Sequence, residues 1–305
     1  MHFTGSEFIN HEIKSFNSFL RKVFKSPNGE LYVSPATWGD RFGLHKYDGF
    51  QFEPVQITRF NSNIRDLIFD DNDGFFFNSG DKLIHFNGNI YQSHSPMWST
   101  NNNMTWILAL EKSYDGTIKI GTWESGVWDY DMESISVISD VDGIKSWINH
   151  IKVDNDNYLW ASTGGDGLYK IKDSQIIKTF NTSTGFPTNS VRDLEIDSFG
   201  NLWATSPMGL ISIAGSSVEV YDKDDGFISN DMWNVEIDNN NTIWVAGEEF
   251  LSSMNNKIVR NYQRTNDTAR FHGYNAGLLP LPNGDVLHGG LDLKILKINK
   301  NGHTL

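Results

Sequence analysis

The chain has no cysteine among its 305 residues. That excludes a disulfide scaffold, a thiolate zinc site and a cysteine nucleophile. It also lacks any long apolar run. The longest stretches, such as Trp106-Ile107-Leu108-Ala109-Leu110, are far short of the roughly 20 residues that a membrane-spanning helix needs. Positive charge is in deficit: 25 Lys and Arg against 38 Asp and Glu give a net charge of −13. Such a balance argues against a protein that tracks nucleic-acid phosphates and against docking on an anionic membrane. No Pro/Ser-rich linker and no block of like charge divides the sequence, so one domain is expected over residues 1–305.

Aromatic residues are plentiful, at 13%, with ten Trp. They recur with a period. Val191 to Asp197, a Ser198-Phe199-Gly200 turn, Asn201-Leu202-Trp203-Ala204-Thr205 and Gly209 to Ile213 form one unit. Ile148 to Asp154 with Tyr158-Leu159-Trp160, and Met232 to Asp238 with Ile243-Trp244-Val245, repeat it. The turn markers fall at Gly29, Gly74, Gly116, Asn157, Gly200, Asn241 and Gly284, at intervals of 41 to 45 residues. A period of about 40–45 residues with strand-like content is that of a propeller blade. Each unit holds about four short segments of alternating polarity, rich in Val, Ile, Trp, Tyr and Phe and separated by Asn, Asp, Gly and Ser. The expectation is an all-β, seven-bladed β-propeller with four-stranded antiparallel blades. Trp160, Trp203 and Trp244, replaced by Tyr32 and Phe77 in weaker units, read as fillers between blades.

The pattern Asp-x-x-Gly-x-Leu-Trp-x-Thr followed by Gly-Leu, best seen from Asp197 to Leu210 and from Asp154 to Leu168, resembles the two-component regulator propeller repeat. Asn157 and Ser162 stand for Gly and Thr in the second of these, and Lys119 and Leu287 for Trp in the third and seventh units. The lead-in Gly185 to Val191 is also similar to that family's. The resemblance implies a sensor-like or ligand-binding propeller, related to the sensor regions of bacterial regulators and often linked to glycan use. It carries no catalytic residues, because the repeat is a folding motif.

A propeller with unpaired first and last blades would expose raw strand edges. Too little chain remains after the seventh unit for a fourth strand. Residues 2–13, with Phe3, Phe8, Ile9 and Ile13, are spare. Residues 1–15 are therefore expected to complete the last blade.

A site is expected where lead-in loops and second-to-third loops ring the channel mouth, since binding favours concave, loop-built places. Those loops carry Trp38, Arg41, Trp123, Glu124 and Glu248; the lead-ins carry Arg65, Trp147, His150, Arg192 and Trp233. Five residues before the turn Asp, the units place Arg65, Asn149, Arg192 and Trp233 in turn. Variation at a repeated place is what an asymmetric site would show. Rings beside carboxylates and Arg suit a sugar or another polar small molecule. The expected partner is thus a small-molecule or oligosaccharide ligand, with a protein partner on the propeller face as a further reading.

Asp70-Asp71-Asn72-Asp73-Gly74 and Asp154 to Asn157 look like calcium loops. Neither has the twelfth-position Glu with flanking helices of an EF-hand, and turn chemistry accounts for them. No cofactor is expected, with weak calcium binding as the reading those loops leave open. The nine His show no close ligand spacing, so no metal site is assigned. No nucleophile elbow, phosphate loop or dinucleotide fingerprint occurs. The enzyme alternative is a propeller lyase or hydrolase acting on a sugar or cyclic substrate, with His150 or Glu248 as the residue to test. Met1 to Glu7 lack the basic and apolar regions of a secretory leader. The chain is expected to be cytoplasmic if Met1 is the native start, and periplasmic or extracellular if the propeller belongs to a sensor.

Overall fold

In the computed structural model, residues 20–35, 43–49, 51–55, 64–72, 74–88, 91–94, 106–138, 144, 146–248, 250–262, 277–289 and 295–298 are described. They form strands almost throughout, joined by tight turns and two short 3-10 turns, Thr182–Thr184 and Lys223–Asp225.

Six antiparallel sheets have four strands each, in sequence order from one edge to the other. Sheet I runs from Leu20–Lys25 to Phe52–Pro54, sheet II from Leu67–Phe69 to Tyr91–His94, and sheet III from Ile107–Lys112 to Ile135–Val137. Sheet IV runs from Ile148–Val153 to Gln175–Phe180, sheet V from Leu194–Ile196 to Ser217–Tyr221, and sheet VI from Met232–Ile237 to Ile258–Tyr262. Sheet VII has three strands, Leu278–Pro280, Val286–Gly289 and Ile295–Ile298. The described residues thus show six blades with the expected four strands, not the seven expected, and sheet VII has three strands. The N-terminal segment expected to complete it lies outside the described residues.

The chain divides into two compact units, Met1–Asn63 with Asp197–Leu305, and Ile64–Ile196. In the second unit, the first strands of sheets II to V lie side by side. Ala109 and Val127 of sheet III pack with Ile148, Ile151 and Ala161 of sheet IV in one core cluster. In the first unit, sheet VI packs on sheet VII through Trp244, Tyr262, Leu278 and Val286. Sheet VII packs in turn on sheet I through Leu287, Val23 and Val33. A Cβ on Gly277 would lie 2.6 Å from the Val23 nitrogen, so only glycine allows that approach.

The repeated Asp explains why the turns recur. Asp197 Oδ1 accepts from the Phe199 and Asn201 amides, and its Oδ2 from Trp203 Nε1 at 3.0 Å. Asp154 does the same for Asp156, Tyr158 and Trp160, and Asp238 for Asn240, Thr242 and Trp244. One carboxylate thus folds the first turn and fixes the rotamer of the buried indole, as the Asx-turn chemistry of the sequence predicts. In sheet II, Asp70 bonds the Asn72 and Gly74 amides and His85 Nε2 at 2.7 Å instead.

Asn157 and Asn241, which stand in the glycine place, adopt φ of 59° and 56°. Each also reaches the turn of the preceding sheet. Ser113 Oγ donates to Asn157 Oδ1 at 3.1 Å, and the Ser198 amide donates to Asn241 Oδ1 at 3.1 Å.

Candidate functional site

In each sheet the lead-in to the first strand and the second-to-third loop lie at the same end, opposite the Asp turns. In four of the sheets the first strand carries an irregularity there. Pairing with the second strand slips around Arg21 in sheet I, Leu108 in III, Asn149 in IV and Trp233 in VI. Each is the residue five before the turn, the place singled out in the sequence. A bulge leaves one residue unpaired and re-aims its side chain, and bulges favour functional edges. The reason for the repeated place is therefore local backbone geometry. In sheet IV the bulge is held by Ser162, whose Oγ accepts from the His150 amide and donates to the His150 carbonyl. Asn78 takes over in sheet II, its Oδ1 accepting from the Arg65 and Asp66 amides.

Sheets II to IV bring several of the expected residues into one row. The Arg65 guanidinium lies 5.8 Å from the centre of the Trp106 ring, a cation–π distance, and its burial lowers its pKa. The Trp106 carbonyl accepts from the Trp123 amide at 2.9 Å. The Trp123 ring stacks on Trp147 with centroids 5.1 Å apart and planes 15° from parallel. Trp147 lies flat because residue 164 is glycine: a Cβ there would be 2.1 Å from its Cε2. Trp147 is thus backed by the chain on one side and Trp123 on the other. Trp123 and Trp147 remain 37% and 38% exposed, which is unusual for rings of this size in a fold with so much buried surface between sheets.

Polar groups flank this pair. Glu124 is exposed and held at φ 65°. Asp166 Oδ2 accepts from the Ser146 amide, and its own amide donates to Thr163 Oγ1.

Further along the first strands, His150 Nδ1 stands 3.1 Å from Asp193 Oδ1, and Lys152 Nζ 2.7 Å from Glu195 Oε2. Asp66 Oδ2 accepts from the Leu110 amide at 2.9 Å, so a side chain of one sheet covers an amide on the open edge of the next. Glu111 accepts likewise from the Val153 amide. Its pKa is raised to about 7, first by burial, against the lowering effect of Lys152 and with help from the like charges of Glu195 and Asp66. Asp193, Lys152, Glu195 and Glu111 do not stand out in the sequence as site residues. Their signal is the two-residue alternation of the first strands, plainest where Lys152 stands between buried Ile151 and Val153.

The remaining expected residues fall elsewhere. Arg192 is half-buried at the head of sheet V. Trp233 and Glu248 belong to sheet VI, in the other compact unit. Trp233 Nε1 donates to Asp231 Oδ2 at 3.3 Å and its carbonyl accepts from Thr205 Oγ1, while Glu248 is exposed. Trp38 and Arg41 lie outside the described residues. Among the described residues no group of His, Asp and Glu is placed to hold a metal ion. No described helix is long and apolar enough to cross a membrane.

No family model matches the sequence, and no curated protein matches it. The likeness to the two-component regulator repeat therefore rests on the residues quoted above. The extracellular domain assigned to a hybrid two-component system of B. thetaiotaomicron superposes with a TM-score of 0.78 at 18% identity over 93% of this chain. This chain spans 39% of that domain's length. A catalytically inactive histidine-to-alanine variant of virginiamycin B lyase from Staphylococcus aureus, solved with quinupristin, superposes with a TM-score of 0.72 at 13% identity. That match covers 96% of this chain and 99% of the lyase. The WD40 β-propeller domain of Doa1 matches at 0.66 and 14%, over 94% and 95% of the two chains. These likenesses, with the sheet topology, define the class: an all-β propeller with four-stranded antiparallel blades. Among its structural neighbours are extracellular sensor domains.

Proposed function

We propose that this chain is a ligand-sensing β-propeller, non-enzymatic, that binds a carbohydrate or a similar polar ligand at the lead-in end of sheets II to IV. The observation that carries this reading is the exposed, stacked Trp123–Trp147 pair. Trp147 braces Trp123, and Trp123 makes no other ring contact among the described residues. A braced indole gives a flat platform at little cost in side-chain entropy. Glu124, Asp166 and Arg65 supply acceptors and a donor around it, the mixture that hydroxyls and carboxylates of a sugar require. The sensor neighbour supports an extracellular or periplasmic setting for this module. We also propose that the fold is a seven-bladed ring in which the N-terminal segment gives sheet VII its fourth strand. The turn spacing and the packing of sheet VII on sheet I support that arrangement.

A glycan array followed by thermal-shift titration of the full chain tests the ligand. The expected result is saturable binding of an oligosaccharide without turnover, abolished in Trp123→Ala. If no glycan or metabolite raises the melting temperature, the sensing reading fails.

The second reading is a lyase. Two observations favour it: His150 held against Asp193 on a first strand, and a fold likeness that spans nearly the whole of virginiamycin B lyase. Turnover of a cyclic peptide or a polysaccharide that disappears in His150→Ala would select it.

A further inference from the structure

The repeat offers an internal comparison on the outer part of sheets IV to VI. Across each of these sheets a row of three side chains shares one face: Trp160, Lys170 and Lys178 in sheet IV, Trp203, Ser212 and Glu219 in V, and Trp244, Ser253 and Arg260 in VI. In sheet IV the row is filled. Lys170 Nζ lies 3.8 Å and 4.7 Å from the Tyr158 and Trp160 ring centres, and Lys178 lies 4.4 Å from that of Phe180. In sheet V Lys257 reaches in from the next sheet and bonds Glu219 at 3.0 Å. In sheet VI no described residue occupies the place. A pocket of about 360 Å³ opens there between sheet VI and the Gly284 turn of sheet VII. That size lies within the range of small-molecule sites, about 300–1,000 Å³.

Its chemistry is specific. Arg260 is exposed and makes no hydrogen bond or ion pair among the described residues. It is the only cationic side chain among the described residues of the wall. The one carboxylate, Asp238, already accepts from two amides and from Trp244 Nε1. Asn240, Asn255 and Asn256, with the hydroxyls of Thr242 and Ser253, supply most of the remaining polar surface. Trp244 and Tyr262 are buried to within 2% and 5% of full coverage, and Ile258, 66% exposed, is the one aliphatic side chain among the described lining residues. A guanidinium pairs with a planar carboxylate through two parallel hydrogen bonds. Carboxamides both donate and accept, which matches hydroxyl groups.

We propose that this pocket is a second binding site, for a small hydroxylated carboxylate of the sugar-acid class. It is distinct from the Trp123 platform and does not depend on it. Calorimetric titration of the full chain with D-galacturonate, D-glucuronate and D-gluconate, beside D-galactose and inorganic phosphate, tests it. At least one of the three acids should saturate a single site, and galactose and phosphate should not. Arg260→Gln should weaken that acid about ten- to a hundredfold, the range for loss of a hydrogen-bonded charge. Arg260→Lys should weaken it less, and Trp123→Ala should leave it unchanged. Both Arg260 variants alter an exposed side chain and leave the buried core of sheet VI intact. Failure of all three acids to bind, equal affinity in Arg260→Gln, or equal binding of phosphate would each overturn the proposal.

Discussion

Asn157 and Asn241 show how much a single side chain decides here. In the repeat their place belongs to glycine, because the backbone is left-handed, and Asn is among the few residues with a Cβ that enters that region readily. From sequence the Asn reads as a departure from the pattern. In the structure it links its turn to a serine of the preceding sheet, a contact that one unit taken alone cannot reveal. Replacing Asn157 by Gly keeps the backbone but loses the bond to Ser113, which should cost about 0.5–1.5 kcal/mol. Replacing it by Ala loses the bond and adds about 1–2 kcal/mol of left-handed strain. Urea unfolding should therefore rank the proteins Asn, then Gly, then Ala; Gly equal to Asn would show that the link contributes nothing. The turn Asp and the buried Trp were legible because each is repeated and each has a local cause. That Asp bonds Trp, through Oδ2, was not, since the two are six residues apart and meet only when the hairpin closes.

At the scale of the element, the first strand of each blade does most to shape the site. Its apolar alternation was plain in sequence. Its other face was legible only at His150, because Glu111, Lys152 and Glu195 look like ordinary solvated strand residues until the neighbouring sheet is in place. The Arg65, Asn149, Arg192 and Trp233 position was legible as a repeated site of variation, while the bulge at Asn149 and Trp233 needed the strand register. Glu111 gives a direct test of this packed, charged face. Its folded pKa, about 7, lies above that of an unfolded Glu, about 4.3. The native state thus binds more protons between those values, and stability falls as pH rises through them. Glu111→Gln keeps an acceptor for the Val153 amide and removes the buried charge. It should raise stability at pH 8 by up to about 3 kcal/mol and change little at pH 4. Equal effects at both pH values would place Glu111 in solvent.

For the whole molecule, seven turn markers at a constant interval made the class of fold legible. They could not say how the last sheet is completed. Sheet VII shows three strands among the described residues, and the segment expected to supply a fourth lies outside them. If that segment closes the ring, deleting residues 1–12 should lower the melting temperature by many degrees; an unchanged melting curve would reject the arrangement. Two buried imidazoles set a second global property. Burial takes His45 and His288 down to about 4, below the unfolded value near 6.5. The unfolded state binds more protons in that window, so their contribution is complete above pH 6.5 and is lost as pH falls toward 4. Each accounts for about 3 kcal/mol at most. Measured in Glu111→Gln, where the opposing carboxyl is gone, the melting temperature should fall steadily from pH 6.5 to pH 4. A flat profile there would mean that both rings reach water.

The sensing account stands or falls on the braced indole. Its most direct test is tryptophan fluorescence titrated with the oligosaccharide that gives the strongest thermal shift, in the wild type and in Trp123→Ala. The account predicts a saturable change in the wild type and none in the variant, with melting temperatures within a few degrees of each other. An identical titration in the variant would contradict it.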